Sequence, residues 1–514
     1  MDSNHNENTK RIAKNTIFLY GRLFFGMIVS LYTSRVILNA LGVENYGIQN
    51  VVGGFLGMLT FLNASMSGAT SRFITYELGK NNLKKLSETF NTAFLIHGVL
   101  ALLILLVAET AGLWFLENKL IIPEGRMFAA RIVYQLSIAG LIIGMMLTPY
   151  NATIIAHEKM SVFAYFDILG IMLRLSVVYL LMILKGDKLI LCSILYLCVS
   201  VIMFTIYRVY CLKNFGETKF HLCYNKSILR PMLSFSGWDL YGNASVMLRT
   251  QGVTVLLNLF FGPIINAASG IATQVQGAVL SFSNNIITAY RPQIIKQYAC
   301  DDYDYLFELL RDAIKISTLL LMVVTIPLMA ELEFVIMLWL GTVPEYVVPI
   351  CRWTLVFNFF TSISVLFAAV IHATGRIKRI SIINGSLYLL VVPIVYILYK
   401  FGNTNPVLPF IVNVIAIFIG VLSNAYTIKL YIPSFKFRNF IIRDYIPGIL
   451  LFLSTYLFVS NIMAYMEQGW LRLFVSISLS MIILLSSAFI FYLPVDLRNK
   501  ILVKIKTKIL FYRL

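Results

Sequence analysis

The residues of this 514-residue chain whose types could do chemistry are arginines that interrupt long apolar runs. Four of them are candidates for binding a ligand: Arg22, Arg35, Arg174 and Arg249. A guanidinium is permanently charged and presents a planar fork of N–H donors, which matches two oxygens of a phosphate or carboxylate. In apolar surroundings such a charge is costly unless it is paired, so these positions indicate an anion site or an ion pair.

Arg249 is the strongest of these candidates. An arginine at the centre of a bilayer costs about 2.5 to 3.5 kcal/mol on insertion scales, which disfavours a bystander near the middle of an apolar run. For the other three arginines, a structural role remains an alternative to binding a ligand. Arg35 lies near the end of its run and is free to snorkel, and Arg22 either snorkels or lines a cavity. Arg174 follows Asp167 by seven residues on the same helical face, so a structural ion pair competes with a binding role.

Ser, Thr, Asn and Gln side chains are concentrated in two further runs, residues 46–71 and 266–290, which carry no internal charge. Such polarity is costly in hydrocarbon, so these faces should turn towards protein or water. At the inner ends of the two runs, Arg72 and Arg291 are predicted to gate the cytoplasmic side. The amides predicted to line an aqueous cavity are Gln49, Asn50, Asn63, Gln274, Gln276 and Asn284.

Neither catalysis nor a metal is indicated by the remaining residue types. The six cysteines include no CxxC pair, and none has a histidine partner at metal-ligand spacing. We therefore expect no catalytic residue, no metal site and no cofactor, and we expect the protein not to be an enzyme.

The composition excludes an ordinary soluble protein. Hydrophobic residues make up 59% of the chain and charged residues only 13%, where soluble domains have about 25% charged residues. The 42 Lys and Arg against 24 Asp and Glu give a net charge of +18, but this surplus lies in short segments between apolar runs. We therefore attribute the charge to membrane topology and expect no nucleic-acid partner.

A membrane span needs roughly 20 mostly apolar residues, and the chain contains fourteen such windows between charged or Pro/Gly-rich breaks. The fold class is therefore an all-α polytopic membrane protein with about 14 transmembrane helices. The predicted spans are 15–38, 46–71, 90–115, 128–156, 162–184, 189–212, 232–261, 266–290, 312–340, 346–374, 380–400, 406–431, 445–463 and 471–493.

The positions of Lys and Arg orient these spans. With a cytoplasmic N-terminus, most of the 42 basic residues fall in cytoplasmic segments, as the positive-inside rule requires. An even number of spans then places both termini in the cytoplasm. No outer loop is long enough to fold as a domain, so the function must take place inside the membrane.

Weak internal similarity suggests that the chain contains two parallel repeats. At a shift of about 220 residues, the first and second spans align with the seventh and eighth, with six spans between the partners. We predict two six-helix bundles around a central cavity, followed by two extra helices and a basic tail that either anchors to an anionic leaflet or frays. The predicted domains are an N-terminal bundle 1–213, a cytoplasmic linker 214–230, a C-terminal bundle 231–432, helices 13 and 14 in 433–494, and the amphipathic tail 495–514.

Several strings of the sequence together resemble one family of membrane proteins. They are LNALGVENYGIQNVVGGFLGMLTFLNASMSGATSRFITYELGK, PYNATIIAHEKM, LSFSGWDLYGNAS, FGPIINAASGIATQVQGAV and YRPQIIKQYA. As a set they resemble the Wzx-type O-antigen and polysaccharide flippases, Bacteroidetes-like, of the multidrug/oligosaccharidyl-lipid/polysaccharide (MOP) exporter superfamily. The similarity extends over nearly the whole chain.

This resemblance implies a flippase of the cell inner membrane. Its substrate would be an undecaprenyl-pyrophosphate-linked oligosaccharide, a repeat unit of O-antigen, capsule or exopolysaccharide. The substrate would move from the cytoplasmic to the periplasmic leaflet by alternating access. Related lipid II flippases place arginines in a cationic cavity, which Arg22 and Arg249 match. Their two extra helices form a lipid-tail groove at the place of residues 445–493.

Other functions remain open at this stage. Drug exporters of the same superfamily couple to Na⁺ or H⁺ and use intramembrane carboxylates, of which only Asp167 and Asp239 are available here. A cationic cavity would repel cationic drugs. A membrane-embedded glycan polymerase or ligase is the remote alternative, since it should need a long periplasmic loop. The coupling ion is not specified by the sequence, and neither is the oligomeric state, with which a monomer is compatible.

The predicted topology can be tested by labelling single cysteines in a variant without the six native ones. We expect cysteines at Lys119 and Lys188 to react with an impermeant maleimide from the periplasm, because both positions lie in predicted outer loops. Cysteines at Lys84 and Lys226 should react only after the membrane is permeabilised. The reversed pattern would contradict an arrangement with both ends in the cytoplasm.

Overall fold

The computed structural model describes most of residues 18–493, together with residue 498. Within that span it does not describe residues 27–28, 30–32, 34–35, 38–39, 42–44, 46–47, 50–51, 54–61, 119–121, 123–124, 222–224 and 403. The described part is helical and contains no β-strand, which confirms the predicted all-α fold class. The chain divides into two compact units, Met1–Asn243 and Ala244–Leu514, and the division falls within one long helix.

Unit 1 is a bundle of helices, which we number in chain order. They are α1 (18–26), α2 (62–79), α3 (Leu83–Asn118), α4 (Met127–Ala156), α5 (Met160–Ile183), α6 (Lys188–Asn214) and α7 (Lys226–Phe261), which continues into unit 2. Within the unit, α4 packs against α3, α5 and α6. Apolar side chains fill these contacts, as expected for helices that bury Leu, Ile, Val and Phe.

Unit 2 contains the remaining helices, with α11 at its centre. They are α8 (Pro263–Ala299), α9 (Tyr303–Ala330), α10 (Leu332–Leu340), α11 (Val347–Thr374), α12 (Lys378–Lys400), α13 (Leu408–Tyr431), α14 (Phe437–Met463) and α15 (Trp470–Tyr492). α11 packs against α8, α9 and α13, while α14 and α15 pack against α9. The hydroxyls of Ser283, Ser317 and Ser362 lie 2.6 to 2.8 Å apart and join α8, α9 and α11 inside the core.

Eleven helices of the described part are long and apolar enough to cross a membrane by length and composition. They coincide with eleven of the fourteen predicted spans, from the third onwards and without the eighth. The eighth predicted span corresponds to α8, a continuous helix of 37 residues that is too polar to count among the eleven. Polar side chains of α8 such as Ser283 and Asn285 are buried in protein, as the polarity of this run predicts. The first two predicted spans lie only partly within the described residues.

The ninth predicted span, 312–340, differs from the structure. The helix begins earlier, at Tyr303, and ends at Ala330, and a separate helix α10 follows from Leu332. Glu331 lies between the two helices, with a non-helical φ of −108° and ψ of 22°. Its buried carboxylate accepts a hydrogen bond from Arg472 Nε at 3.0 Å, which ties the break to the start of α15. Hydropathy alone missed this break because the residues on both sides are apolar.

At one end of unit 1, the predicted linker 214–230 is anchored by side chains. His157 Nε2 lies 2.6 Å from the carboxylate of Glu217. Asn91, buried on α3, donates to the Lys219 carbonyl and accepts from the backbone N–H of His221 at 2.8 Å. These contacts hold the described part of the linker against α3 and α4. The domain boundaries drawn from the sequence stay a prediction.

At the opposite end of unit 1, an ion pair fixes the start of α6. Arg126 Nη1 lies 2.6 Å from Asp187 Oδ2, and Arg126 also donates to Asn45. Asp187 caps α6, because its other oxygen accepts from the N–H groups of Leu189 and Ile190. Burial by itself would raise the pKa of Asp187, but the hydrogen bonds from Arg126 and from the two backbone N–H groups outweigh it, and the pKa lies below its usual value.

We expect Asp187→Ala to lower the melting temperature of the purified protein, because it removes an N-cap worth about 1 kcal/mol together with the partner of Arg126. Asp187→Asn keeps a capping side chain and should cost less. The folded pKa is depressed, so the ion-pair stabilisation is fully present above about pH 5 and is lost as the pH falls through the folded pKa. The deficit of Asp187→Asn, followed by tryptophan fluorescence between neutral and acid pH, should therefore shrink in acid. A deficit independent of pH would rule out the ion pair as its source.

Candidate functional site

Arg249 lies on α7 within unit 2, with its guanidinium between two aromatic rings. Its Cζ atom is 5.0 Å from the ring centroid of Phe357 on α11 and 4.6 Å from that of Tyr388 on α12. The residue is only 9% exposed. A cation over an aromatic face gains about 0.5 to 2 kcal/mol, more when it is desolvated. The two rings therefore offset part of the cost of burying this charge.

One nitrogen of this guanidinium is left for another partner. Arg249 Nη1 is buried and forms no hydrogen bond within the described part of the chain. The residue Arg249 lines a cavity of about 70 Å³, and no carboxylate is among the other residues that line this cavity. Asn413 Oδ1 on the cavity wall also has no hydrogen-bond partner among the described residues. The other polar lining residues are Thr250, Thr254, Ser269, Thr273, Gln276 and Thr354. We call this set the Arg249 site.

The chemistry of the Arg249 site suits one small anionic group. A buried cation without a carboxylate partner gains most from a ligand that carries negative charge. Hydroxyls and amides around it can donate to the remaining oxygens of a phosphoryl group. A cavity of about 70 Å³ holds a few water molecules or one such group, but no sugar unit. The bulk of any larger ligand would therefore stay outside the site.

A glycine allows the site to form. Gly252 lies one helical turn beyond Arg249, and a Cβ placed there would come within 2.6 Å of Val392 Cγ2 and 3.2 Å of Val392 Cγ1 on α12. Val392 itself lies one turn beyond Tyr388. The missing side chain thus lets α7 and α12 approach closely enough for the Tyr388 ring to cover the guanidinium.

In unit 1, Arg22 forms an ion pair with a carboxylate. Its Nη1 lies 3.1 Å from Asp167 Oδ2 on α5, and its guanidinium lies 5.1 Å from the ring centroid of Phe163. The alternative considered from the sequence was a pair between Asp167 and Arg174, but Asp167 contacts Arg22 instead. Arg174 is exposed and lines a cavity of about 630 Å³ together with Asp167 and Asn151. The carboxylate balances the charge of Arg22, whereas no carboxylate is among the residues that line the cavity beside Arg249.

The predicted amides of α8 divide between two environments. Gln276 lines the Arg249 site, and its backbone carbonyl accepts from Asn358 Nδ2 at 3.0 Å. Gln274 and Asn284 are exposed. Of this group, the structure therefore brings only Gln276 next to Arg249.

The described amides of the first polar run form hydrogen bonds inside unit 1. Gln49 Nε2 lies 3.7 Å from Cys192 Sγ on α6, and Asn63 Nδ2 donates to Thr148 on α4 at 3.2 Å. Their predicted role in lining a cavity stays a prediction. Two predicted site residues lie outside the described residues: Arg35 and Asn50.

The two arginines predicted to gate the cytoplasmic side have different neighbours. Arg72 is buried on α2, with its guanidinium 4.5 Å from the ring of Phe73 and 4.7 Å from that of Tyr76. Arg291 Nη2 on α8 lies 3.3 Å from His372 Nδ1 at the end of α11. Both contacts fix the arginine within its own unit, and the gating role stays a prediction.

Sequence reasoning missed Phe357 and Tyr388, the two rings that hold Arg249. Aromatic residues make up 14% of the chain, so one more ring in an apolar run carries no signal. Tyr388 is 139 positions from Arg249 along the chain, and only the packing of α7 on α12 brings them together. Gly252 was the one local hint, since a glycine inside a helix often marks a close approach.

The arrangement of helices is similar to that of several solved membrane proteins. The chain shares the fold of MATE family transporters of the MOP superfamily. A multidrug resistance MATE family transporter in an outward-facing conformation matches with a TM-score of 0.71 and 15% identity, over 83% of this chain and 97% of that one. A MATE structure in the straight conformation matches with a TM-score of 0.68 and 16% identity, over 82% and 96% of the two chains.

A MOP superfamily transporter from Pyrococcus furiosus is similar to the same extent. It has a TM-score of 0.68 and 15% identity, over 82% of this chain and 96% of that one. That protein is described as having a binding pocket of reverse polarity that suggests a different function. No protein-family model matches the chain, and no curated protein does either. At 15% or 16% identity these similarities establish the fold, and the substrate has to be argued from the site.

We expect Gly252→Ala to destabilise the protein, because overpacking a close helix contact typically costs about 1 to 3 kcal/mol. Gly242→Ala on the same helix is the matched control, since a Cβ there meets no atom within 4 Å. The melting temperature should fall for Gly252→Ala only. Adding Val392→Ala should restore it, because it removes the methyl groups that the new Cβ would meet. A double variant no more stable than Gly252→Ala would show that this contact does not set the spacing of α7 and α12.

Proposed function

We propose that this protein is a lipid-linked oligosaccharide flippase. It moves a polyprenyl-pyrophosphate-linked glycan from the cytoplasmic to the periplasmic leaflet of the inner membrane by alternating access. The shared transporter fold supports the general class, and the sequence resemblance to Wzx-type flippases supports the particular substrate. The protein has no catalytic role in this proposal, and its partners are the lipid-linked glycan and the bilayer.

The observation that carries the proposal is the Arg249 site. An arginine that is 9% exposed, with one guanidinium nitrogen free of hydrogen bonds in the described structure and no carboxylate in the cavity lining, is suited to an anionic headgroup. A pyrophosphate carries about two negative charges and offers paired oxygens to the guanidinium fork. The interaction would be strong because the surroundings are of low dielectric.

The size of the Arg249 site implies that different parts of such a substrate lie in different places. Only one phosphoryl group enters a cavity of about 70 Å³, while the glycan stays among polar side chains outside it. Gln274 and Asn284 on α8 are exposed and have the amide groups that hydrogen-bond to sugar hydroxyls. The prenyl tail remains in lipid throughout, so the protein has to shield only the polar part of the substrate.

A multidrug exporter of the same superfamily is the second candidate. Two of the similar structures are of MATE transporters, one of them a multidrug resistance transporter, which favours this function by fold. Asp167 supplies an intramembrane carboxylate for Na⁺ or H⁺ coupling, but Arg22 already balances its charge at 3.1 Å. The positive Arg249 site would repel cationic drugs. The polarity of the site therefore favours an anionic substrate, as pocket polarity is taken to distinguish functions for the Pyrococcus furiosus transporter.

The flippase proposal predicts that Arg249→Ala abolishes surface glycan in a complemented deletion strain, because the headgroup loses its charged ligand. Arg249→Lys keeps the charge but loses the fork, so it should retain partial activity if charge dominates and little if bidentate geometry does. Surface glycan is measured with membrane protein levels matched by immunoblot, and accumulated lipid-linked glycan is identified by mass spectrometry.

Arg379→Ala is the matched control, since Arg379 also lies over an aromatic ring, 5.8 Å from the Tyr426 centroid, but outside the Arg249 site. It should leave surface glycan at the wild-type level. Wild-type glycan in Arg249→Ala at equal expression would refute Arg249 as the headgroup ligand. A deletion strain with normal glycan but increased sensitivity to cationic drugs would instead support the exporter.

A further inference from the structure

A second cavity lies at one end of unit 2, away from the Arg249 site. It has a volume of about 720 Å³ and is formed by the start of α9, the start of α14 with the segment before it, and the end of α15. On the predicted topology all three ends lie on the cytoplasmic side. A volume of this size is in the range of cavities that bind small ligands, about 300 to 1,000 Å³. We call it the inner basic pocket.

The charge of this pocket is positive. Five of its lining residues are basic and three, Asp304, Glu308 and Asp444, are acidic. Asp312 outside the lining pairs with Arg311 at 3.6 Å, so a surplus of one positive charge remains. Lys436 and Arg443 are exposed at its rim. The basic lining residues are Arg311, Lys315, Lys436, Arg443 and Arg498.

The floor of the pocket is built from a buried ion pair. Lys315 Nζ lies 2.8 Å from Asp444 Oδ1 and donates to the Tyr492 carbonyl at 2.8 Å. The side chain of Lys315 is 7% exposed and that of Asp444 is 12% exposed. The pair joins the three helices that form the pocket, so the shape of the floor is fixed.

Two arginines that line the pocket each have a guanidinium nitrogen without a hydrogen-bond partner among the described residues. Nε of Arg311 and Nε of Arg498 are buried and have no hydrogen-bond partner there, although Arg311 Nε lies 3.6 Å from Asp312. Unused guanidinium donors in a positive pocket favour an acceptor with negative charge. A phosphate group combines the charge with several acceptor oxygens.

The pocket is flanked by side chains suited to lipid. Phe491 in its lining is 82% exposed, and the neighbouring Ile490 and Ile442 are 55% and 52% exposed. A basic pocket beside an exposed apolar surface matches an amphiphile, with its headgroup in the pocket and its acyl chains along the helices. A free phosphate would gain nothing from the apolar flank.

We propose that the inner basic pocket binds the phosphate headgroup of an anionic bilayer lipid. Cytoplasmic leaflets carry anionic lipids, and each Lys or Arg near such a surface contributes about 1 kcal/mol to the attraction. The bound lipid would hold the starts of α9 and α14 and the end of α15 together. This lipid site is independent of the transported substrate, because none of its lining residues belongs to the Arg249 site.

The test uses the full-length protein in phosphatidylcholine liposomes with a photoactivatable phosphatidic acid as probe. Cross-links to peptides covering residues 304–315 and 434–444 should fall about fivefold for Arg443→Gln and further for Arg311→Gln combined with Arg443→Gln. Arg438→Gln is the matched control, since Arg438 is exposed in the same segment but does not line the pocket. It should cross-link like the wild type.

Arg443 is exposed, so its single substitution is not expected to disturb folding, and matched melting temperatures verify this. Equal cross-linking of Arg443→Gln and wild type would overturn the proposal. Equal cross-linking by a photoactivatable phosphatidylcholine would do the same, since it would show lipid contact without charge selection. Displacement of the probe by inorganic phosphate at near-physiological salt would identify a free-anion site instead of a lipid site.

Discussion

One constraint organises unit 2: a guanidinium is buried in a membrane-spanning helix without a carboxylate in the cavity beside it. Such a charge costs about 2.5 to 3.5 kcal/mol to place at mid-membrane, and the protein offsets this with two aromatic faces. The faces belong to α11 and α12, so a side chain of each helix contacts α7. Gly252 makes the approach to α12 possible, because Val392 occupies the space of its missing side chain. In the described structure, Arg249 Nη1 has no hydrogen-bond partner. No carboxylate in the cavity lining neutralises the positive charge of this arginine.

Two of the candidate arginines, Arg22 in unit 1 and Arg249 in unit 2, have opposite kinds of partner. In unit 1, Asp167 balances Arg22 at 3.1 Å, so this pair is neutral and binding an anion to Arg22 would require breaking it. In unit 2, aromatic rings stabilise Arg249 without neutralising it. Aromatic contacts therefore preserve a charge that a ligand can use, whereas a carboxylate removes it. This difference is why the proposed function depends on unit 2, and why an anionic substrate is favoured over the cationic drugs expected for an exporter.

The ends of the helices show a separate use of charge. Arg126 with Asp187, Glu331 with Arg472, and Lys315 with Asp444 each join parts of the chain that belong to different helices or helix caps. These pairs fix which ends meet, and they do so at positions that hydropathy leaves unspecified. The inner basic pocket contains one of these pairs, and its lining has more basic than acidic side chains. There, structural pairing and lipid binding share one set of side chains.

The sequence by itself determined the fold class, most of the spans and the identity of Arg249 as the residue to examine. Length and hydropathy are sums over neighbouring residues, and an arginine in an apolar run is visible without any partner. The sequence did not reveal Phe357, Tyr388 or the pairing of Arg22 with Asp167, since these partners are far apart along the chain and carry no local signal. It also missed the break at Glu331, whose cause is a contact with Arg472 on another helix. Only tertiary packing decided these features, because each depends on which helix faces lie against each other.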